Sequence, residues 1–366
     1  MIKEGSKKLY FLLFCYRQLI QPRFFCMRIF IDPRSKINYS SYYIQGMYDL
    51  YGKNNVHFSS EYFDELKNID MLLAWVNVDE NGVKRYIVDH RDLDDLIQNA
   101  YEWTDVYAKI NISEDTLSAD VAKKLMNIPP SFAIKIWNPV ENLYYLIPNF
   151  FKASIFKNQN HSNIHIRPKR WVRNYFSLMK RQRIEEYDRK EISEGNDNYV
   201  FFASTFWNGE DKTNLNRKAY MKLCSTKKEI RFEGGFFLLE GESLPSNISE
   251  ELLLRKRIKN KEYRKNINRS IFVFNTPAVS GCHGWKLGEF LSMGKTIIST
   301  APVYMLPYPL EHKKHIYIVQ NESELDLAIE ELLKKPDLRY QLARNAKKYY
   351  SDYAAPKKVI EQIINR

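Results

Sequence analysis

Short apolar runs ending in turn residues alternate with helical patterns along most of this chain, in two separate series. The first opens with "MRIFID", which stops at Asp32-Pro33 because a proline cannot donate to a ladder and restricts its predecessor. "YYIQGMYDLYG" follows as a helix stopped at Gly52, and then come "NVHFS", "MLLAWVNV", "KRYIVDH", helical "LDDLIQNAYEW", "DVYAKIN" and "FAIKIW". The second begins at "NYVFFASTFW" (198–207) and continues with helical "NLNRKAYMKLC", strand "EIRFEGGF", a charged helical stretch at 249–268 and strand "SIFVFNTP". It closes through "IYIVQ" into "SELDLAIEELLKKPDLRYQLARNAKKYY". Such alternation predicts βαβ units around mostly parallel sheets. A length of 366 residues suits two domains.

Between the last two strands of the second series lies "HGWKLGEFLSMGKTIIST", residues 283–300. Leu287, Phe290 and Leu291 fall at i, i+3 and i+4 and predict one buried helix face. Lys286 and Glu289 lie three apart on another face and project together. Gly281 and Gly284 precede the helix and allow a ligand close to the backbone. The unpaired N–H groups of a helix start favour a phosphate, and Lys286 sits in that first turn. Glu289, one turn further in, can accept hydrogen bonds from ribose hydroxyls. The competing reading is an exposed i,i+3 pair beside a loop that glycines merely shape.

The segment "WKLGEFLSMGKTIIST" resembles the nucleotide-binding signature of GT-B glycosyltransferases, especially the large group 1 (family 4-like) superfamily, and more loosely exostosin-like domains. The resemblance extends through the Pro-Asp-Leu-Arg step and its helices, covering about residues 270–366, and reaches 27–269 only by topology. It implies an α/β fold of two Rossmann-like domains facing across a cleft. It also implies a glycosyltransferase that moves a sugar from a nucleotide-sugar donor to a saccharide or lipid-linked acceptor in surface polysaccharide biosynthesis. Glu289 would hold the ribose, with Lys286 near the diphosphate or sugar. Where retaining members often carry a second Glu, eight residues earlier, this chain has Gly281, with Cys282 and His283 beside it, so the stereochemistry stays open. On this basis we place an N-terminal extension at 1–26, an acceptor domain at 27–150, a basic linker at 151–197 and a nucleotide-sugar-binding domain at 198–352. A C-terminal helix at 353–366 would cross back to the first domain.

Other residues join these with an alternative each. Ser204 ends a strand, and Lys212 and Arg217 follow as a positive pair for a leaving diphosphate, or as an ordinary surface loop and helix start. Asp89 and His90 end another strand, and either would serve as general base if the enzyme inverts. Asp92-Leu93-Asp94 is nominally a D-x-D, although acidic residues entering a helix are common, and neither a metal nor another cofactor is expected. A nucleotide-sugar epimerase of the same fold is the alternative activity.

The 56 Lys and Arg against 44 Asp and Glu point to an anionic partner. No helix-turn-helix, zinc-finger or aromatic RNP pattern supports nucleic acid. In "RPKRWVRNYFSLMKRQR", Trp171, Tyr175, Phe176 and Met179 interleave with basic residues, which suits a helix on an anionic bilayer or a solvated interdomain helix. Cys15, Cys26, Cys224 and Cys282 form no C-x-x-C, which fits a reducing cytoplasm, with a peripheral place on the inner membrane face as the extension of that reading. The apolar run in "KKLYFLLFCYRQLI" falls short of the roughly 20 residues a membrane span needs. We read 1–26 as a membrane-surface contact or as sequence upstream of a true start at Met27.

Overall fold

A computed structural model describes residues 27–366 apart from 68, 70, 118–120, 156–166, 189–196 and 240–247. The N-terminal extension and parts of the predicted linker therefore lie outside the described residues. In the N-terminal half, β1 (Arg28–Ile31) leads into helix α1 (Ile37–Tyr51) and β2 (Val56–Phe58). There follow β3 (Leu72–Asp79), β4 (Gly82–Asp89), α2 (Gln98–Trp103), β5 (Val106–Lys109) and β6 (Leu125–Asn127). The six strands form one sheet in the order β2-β1-β3-β4-β5-β6.

This sheet is mostly parallel, as the alternation predicts, with β3 as the exception. β3 runs antiparallel to both β1 and β4, while the other pairs are parallel. The reversal is local: Asn81 N–H donates to the Asp79 side chain at 2.8 Å, and Asn81-Gly82 turns the chain straight into β4. The expected strand "FAIKIW" is buried, but it joins no ladder. Its amides go elsewhere, Ile134 N–H to Ser41 Oγ and Lys135 N–H to the Gln182 carbonyl. Buried backbone groups need partners, and here a side chain and a neighbouring segment supply them.

Two helices connect the halves: α3 (Pro139–Ser154), started by an Asn138–Glu141 capping box, and α4 (Pro168–Met179), followed by the single turn α5 (Ile184–Tyr187). α4 belongs to the N-terminal core, for Trp171, Tyr175 and Leu178 are buried and Trp171 Nε1–H donates to the Leu146 carbonyl at 3.0 Å. The second half contains β7 (Tyr199–Thr205), α6 (Asp211–Thr226), β8 (Arg231–Phe237) and α7 (Asn260–Arg269). It continues with β9 (Val273–Asn275), α8 (Trp285–Ser292), β10 (Ile297–Thr300), β11 (Tyr317–Val319), α9 (Glu322–Lys334), α10 (Pro336–Tyr349) and α11 (Pro356–Ile364). All its strand pairs are parallel: β7 with β8, and β10 with both β9 and β11. The two groups meet where Ile271 N–H, just before β9, donates to the Tyr199 carbonyl at 2.9 Å. β8 comes so close to β7 that a Cβ on Gly234 would lie 1.8 Å from the Phe202 carbonyl oxygen, and Gly234 has φ +147°. Only glycine fits there.

The protein thus has two α/β halves across a cleft, yet their cores are not separate. One apolar cluster runs from Ile29, Tyr42 and Trp137 through Phe132 to Leu287, Phe290, Ile297 and Tyr349. Smaller clusters lie behind each sheet. α11 returns from the second half and lies on α1, where a Cβ on Gly46 would sit 2.2 Å from the Pro356 carbonyl oxygen. Beside that crossing, the Tyr42 hydroxyl donates to the Ala354 carbonyl at 2.5 Å.

Candidate functional site

The helix predicted from "WKLGEFLS" is α8, and it starts where the second half faces the first. Gly284 is its N-cap and brings no capping side chain. Trp285 in the first turn bridges the halves: Tyr39 of α1 meets its ring edge-on at 5.1 Å, and the Arg181 guanidinium lies 4.8 Å over it. Lys286 reaches the end of β7, where Nζ donates to the Ala203 carbonyl at 2.7 Å and stands 4.6 Å above the Phe202 ring. Burial and then the Arg217 charge hold this ammonium well below its ordinary pKa, against the pull of Glu289. Glu289 is half-buried one turn on. Burial pushes its carboxyl up to about 7, although Arg181 and Lys286 oppose the rise.

Lys286 and Glu289 line a cleft of about 530 Å³. Asn38 and Tyr39 form its N-terminal wall, and Arg181 and Tyr187 come from the connection. Ser204 and Thr205 at the end of β7 face it, and Trp207, Phe237, Leu239 and Leu254 make an apolar stretch. The cleft therefore offers an apolar wall, a carboxylate with a raised pKa and several cations, which together suit a ligand with a flat apolar part, hydroxyls and negative charge.

Lys286, Glu289 and Ser204 are brought together as expected sites, and the remaining candidates lie elsewhere. Arg217 is buried behind the wall, with Nε–H donating to Thr276 Oγ1 at 3.0 Å and Nη1 to the Thr205 carbonyl at 3.1 Å. It braces the ends of β7 and β9. Lys212 is exposed on the first turn of α6, and it too is absent from the cleft wall. Gly281 (φ +75°) and Gly284 shape the loop before α8 without lining the cleft. His283 also points away: its N–H donates to Asn111 Oδ1 at 2.9 Å and its Nε2–H to the Met305 carbonyl at 3.2 Å. Burial lowers its imidazole to about 4. It ties the loop to the N-terminal half.

Asp89 and His90 have opposite environments. The Asp89 carboxylate is fully buried and accepts from the Tyr107 hydroxyl (2.7 Å), Arg91 Nη2 (2.9 Å) and Lys109 Nζ (3.0 Å). Burial raises its pKa, but Lys109 and Arg91 outweigh that and leave it lowered. Such a carboxylate is a structural anchor at the end of β4, which removes it as a proton acceptor for a ligand. His90 is 7% exposed, and neither ring nitrogen has a partner. Its ring stacks on Tyr39 at 5.7 Å and on Tyr43 at 6.4 Å, and burial lowers it to about 4. It sits one ring behind the cleft wall, neutral at pH 7. In the nominal D-x-D, Asp94 accepts from Ser113 and Thr116, and the described residues contain no group of three or more His, Cys, Asp or Glu suited to a metal.

Three cations of the cleft, Arg181, Arg257 and Arg264, were missed in the sequence. Arg181 comes from the connector, where nothing marks it among its basic neighbours. Arg264 on α7 lines the cleft but is mostly buried, with Nη2 donating to Glu186 at 2.6 Å. Its role depends on a contact with Glu186 across 78 residues, which no local pattern encodes.

No protein-family model matches the sequence, and no curated protein does. Among solved structures the chain is similar to TarM, at 11% identity and a TM-score of 0.45, over 78% of this chain and 50% of that one. The chain thus spans about half the length of TarM. It is also similar to HepE of Anabaena in complex with UDP and glucose (12% identity, TM-score 0.38, 76% of this chain and 70% of that one). A third similar structure is WaaG, a glycosyltransferase involved in lipopolysaccharide biosynthesis (12% identity, TM-score 0.33, 76% and 78%).

Proposed function

We propose that this chain is a glycosyltransferase that takes a nucleotide-sugar donor into the cleft and passes the sugar to a saccharide or lipid-linked acceptor. The observation that carries this reading is the placement of Glu289 and Lys286 on one cleft wall at the start of α8. In this reading the Glu289 carboxylate accepts from the ribose hydroxyls, and the base lies along Trp207, Phe237 and Leu254. The diphosphate lies toward Ser204, Thr205 and the α8 start, where Lys286 and unpaired amides offset the charge that grows on the leaving group. The acceptor enters from the Asn38–Tyr39 side. Neither Asp89 nor His90 lines the cleft, so no general base is assigned from the sequence candidates.

Calorimetric titration with UDP, GDP, ADP and CMP tests this on the wild type and on Glu289→Ala. One nucleotide should bind in the micromolar range, and the variant should lose about 1.5–3 kcal/mol, the value of a hydrogen bond to a charged group. Equal binding by variant and wild type, or no binding of any nucleotide, sinks the donor reading. Turnover of a nucleotide-sugar without any acceptor would favour an epimerase instead.

A further inference from the structure

α3 is apolar on the wrong side for a helix of a water-surrounded protein. Its buried face includes Asn142 and Asn149, whereas Val140, Leu143, Tyr144, Ile147 and Phe151, with Ile155 just beyond its end, are all exposed. At 100° per residue these six fall within about a third of the helix circumference, so they form one continuous stripe. α4 lies alongside and adds exposed Val172 and Phe176. Of the seventeen large apolar side chains exposed among the described residues, eight belong to this one surface. Scattered exposed apolar groups are ordinary, but a concentration like this marks a contact surface.

The charge around it identifies the partner. The outward side of α4 carries Arg167, Lys169, Arg170 and Arg173, all exposed, and α4 contains no acidic residue. The single acid of α3, Glu141, is paired with Lys53. We infer that the outer faces of α3 and α4 form a docking surface for an anionic lipid bilayer, with the α3 stripe entering the interface and the α4 cations against the headgroups. A symmetric contact between two copies of the chain would set these cations against each other without carboxylates to compensate, so charge disfavours it. A bilayer carrying anionic lipid matches both features at once. Besides residues 1–26, the sequence offered the α4 segment as a membrane-facing helix, but its Trp171 and Tyr175 are spent on the core, and α3 carries most of the outward apolar surface.

The test is sedimentation of the full chain with vesicles of phosphatidylcholine alone, and of phosphatidylcholine mixed with phosphatidylglycerol. Wild type should bind the mixed vesicles and bind the neutral ones at least about tenfold more weakly. The pair Ile147→Asp/Phe151→Asp and the pair Arg170→Glu/Arg173→Glu should each lower binding to the mixed vesicles by about tenfold or more. All four positions are exposed, so unchanged thermal unfolding of the variants shows that the fold is kept. Absence of vesicle binding by the wild type overturns the inference. So does undiminished binding by the Asp pair, which would assign the contact to another segment, or a wild-type dimer that the Asp pair dissolves, which would make a second copy the occupant. The readout is lipid binding without any sugar donor, so the result is independent of the transferase reading.

Discussion

Glu289 combines a half-buried carboxyl with a pKa raised from 4.5 to about 7. Burial penalises the ionised form in the folded state only, so the group's contribution to stability is most favourable below pH 4.5 and is lost as pH rises through about 7. Allowing for partial exposure, the loss is on the order of 1–2 kcal/mol. Glu289→Gln, which has no charge to bury, should unfold in urea like wild type at pH 5 and be the more stable protein at pH 8. A wild type at least as stable as the variant at pH 8 would show that the carboxylate is compensated locally. At this scale the sequence was informative where function and periodicity share a helix: the three-residue spacing of Lys286 and Glu289 survives into the cleft. It misled where a residue's surroundings come from distant segments. Arg217 looked like a ligand-facing cation because Thr205 and Thr276, which occupy it, lie 12 and 59 residues away. Asp89 looked like a base because Lys109, 20 residues on, is invisible to a local reading.

Elements were legible as types more than as neighbours. The alternation of strands and helices is present in both halves, but the direction of β3 depends on one turn at Asn81-Gly82, which the reading of strands and helices passed over. The pairing of β7 with β8 depends on Gly234 just as locally. Gly234→Ala would place a methyl group against the Phe202 carbonyl at a φ that L-residues avoid, so the two strands must part. We expect a loss of about 3 kcal/mol or more, from combined backbone strain and overpacking. A urea midpoint close to wild type would show that β8 can move aside without cost. Since Ser204 and Thr205 end β7 at the cleft, nucleotide affinity should fall with stability in the same variant.

For the molecule as a whole, the shared core predicts that the two halves unfold together as one cooperative unit. Gly46→Ala tests this, because it forces α1 and α11 apart at a contact far from the cleft. It should lower stability by about 1–3 kcal/mol. Amide exchange should speed up together in β3 and β10, one strand from each half. Faster exchange confined to β3 would mean that the halves unfold separately despite the core they share. The crossing of α11 onto α1 has a further consequence during synthesis. The seat that α1 offers is completed by Val359, Ile360 and Ile363, which are buried and are made long after α1. On the ribosome, the first half emerges long before its covering helix exists. Its final packing must therefore wait for the second half to be translated.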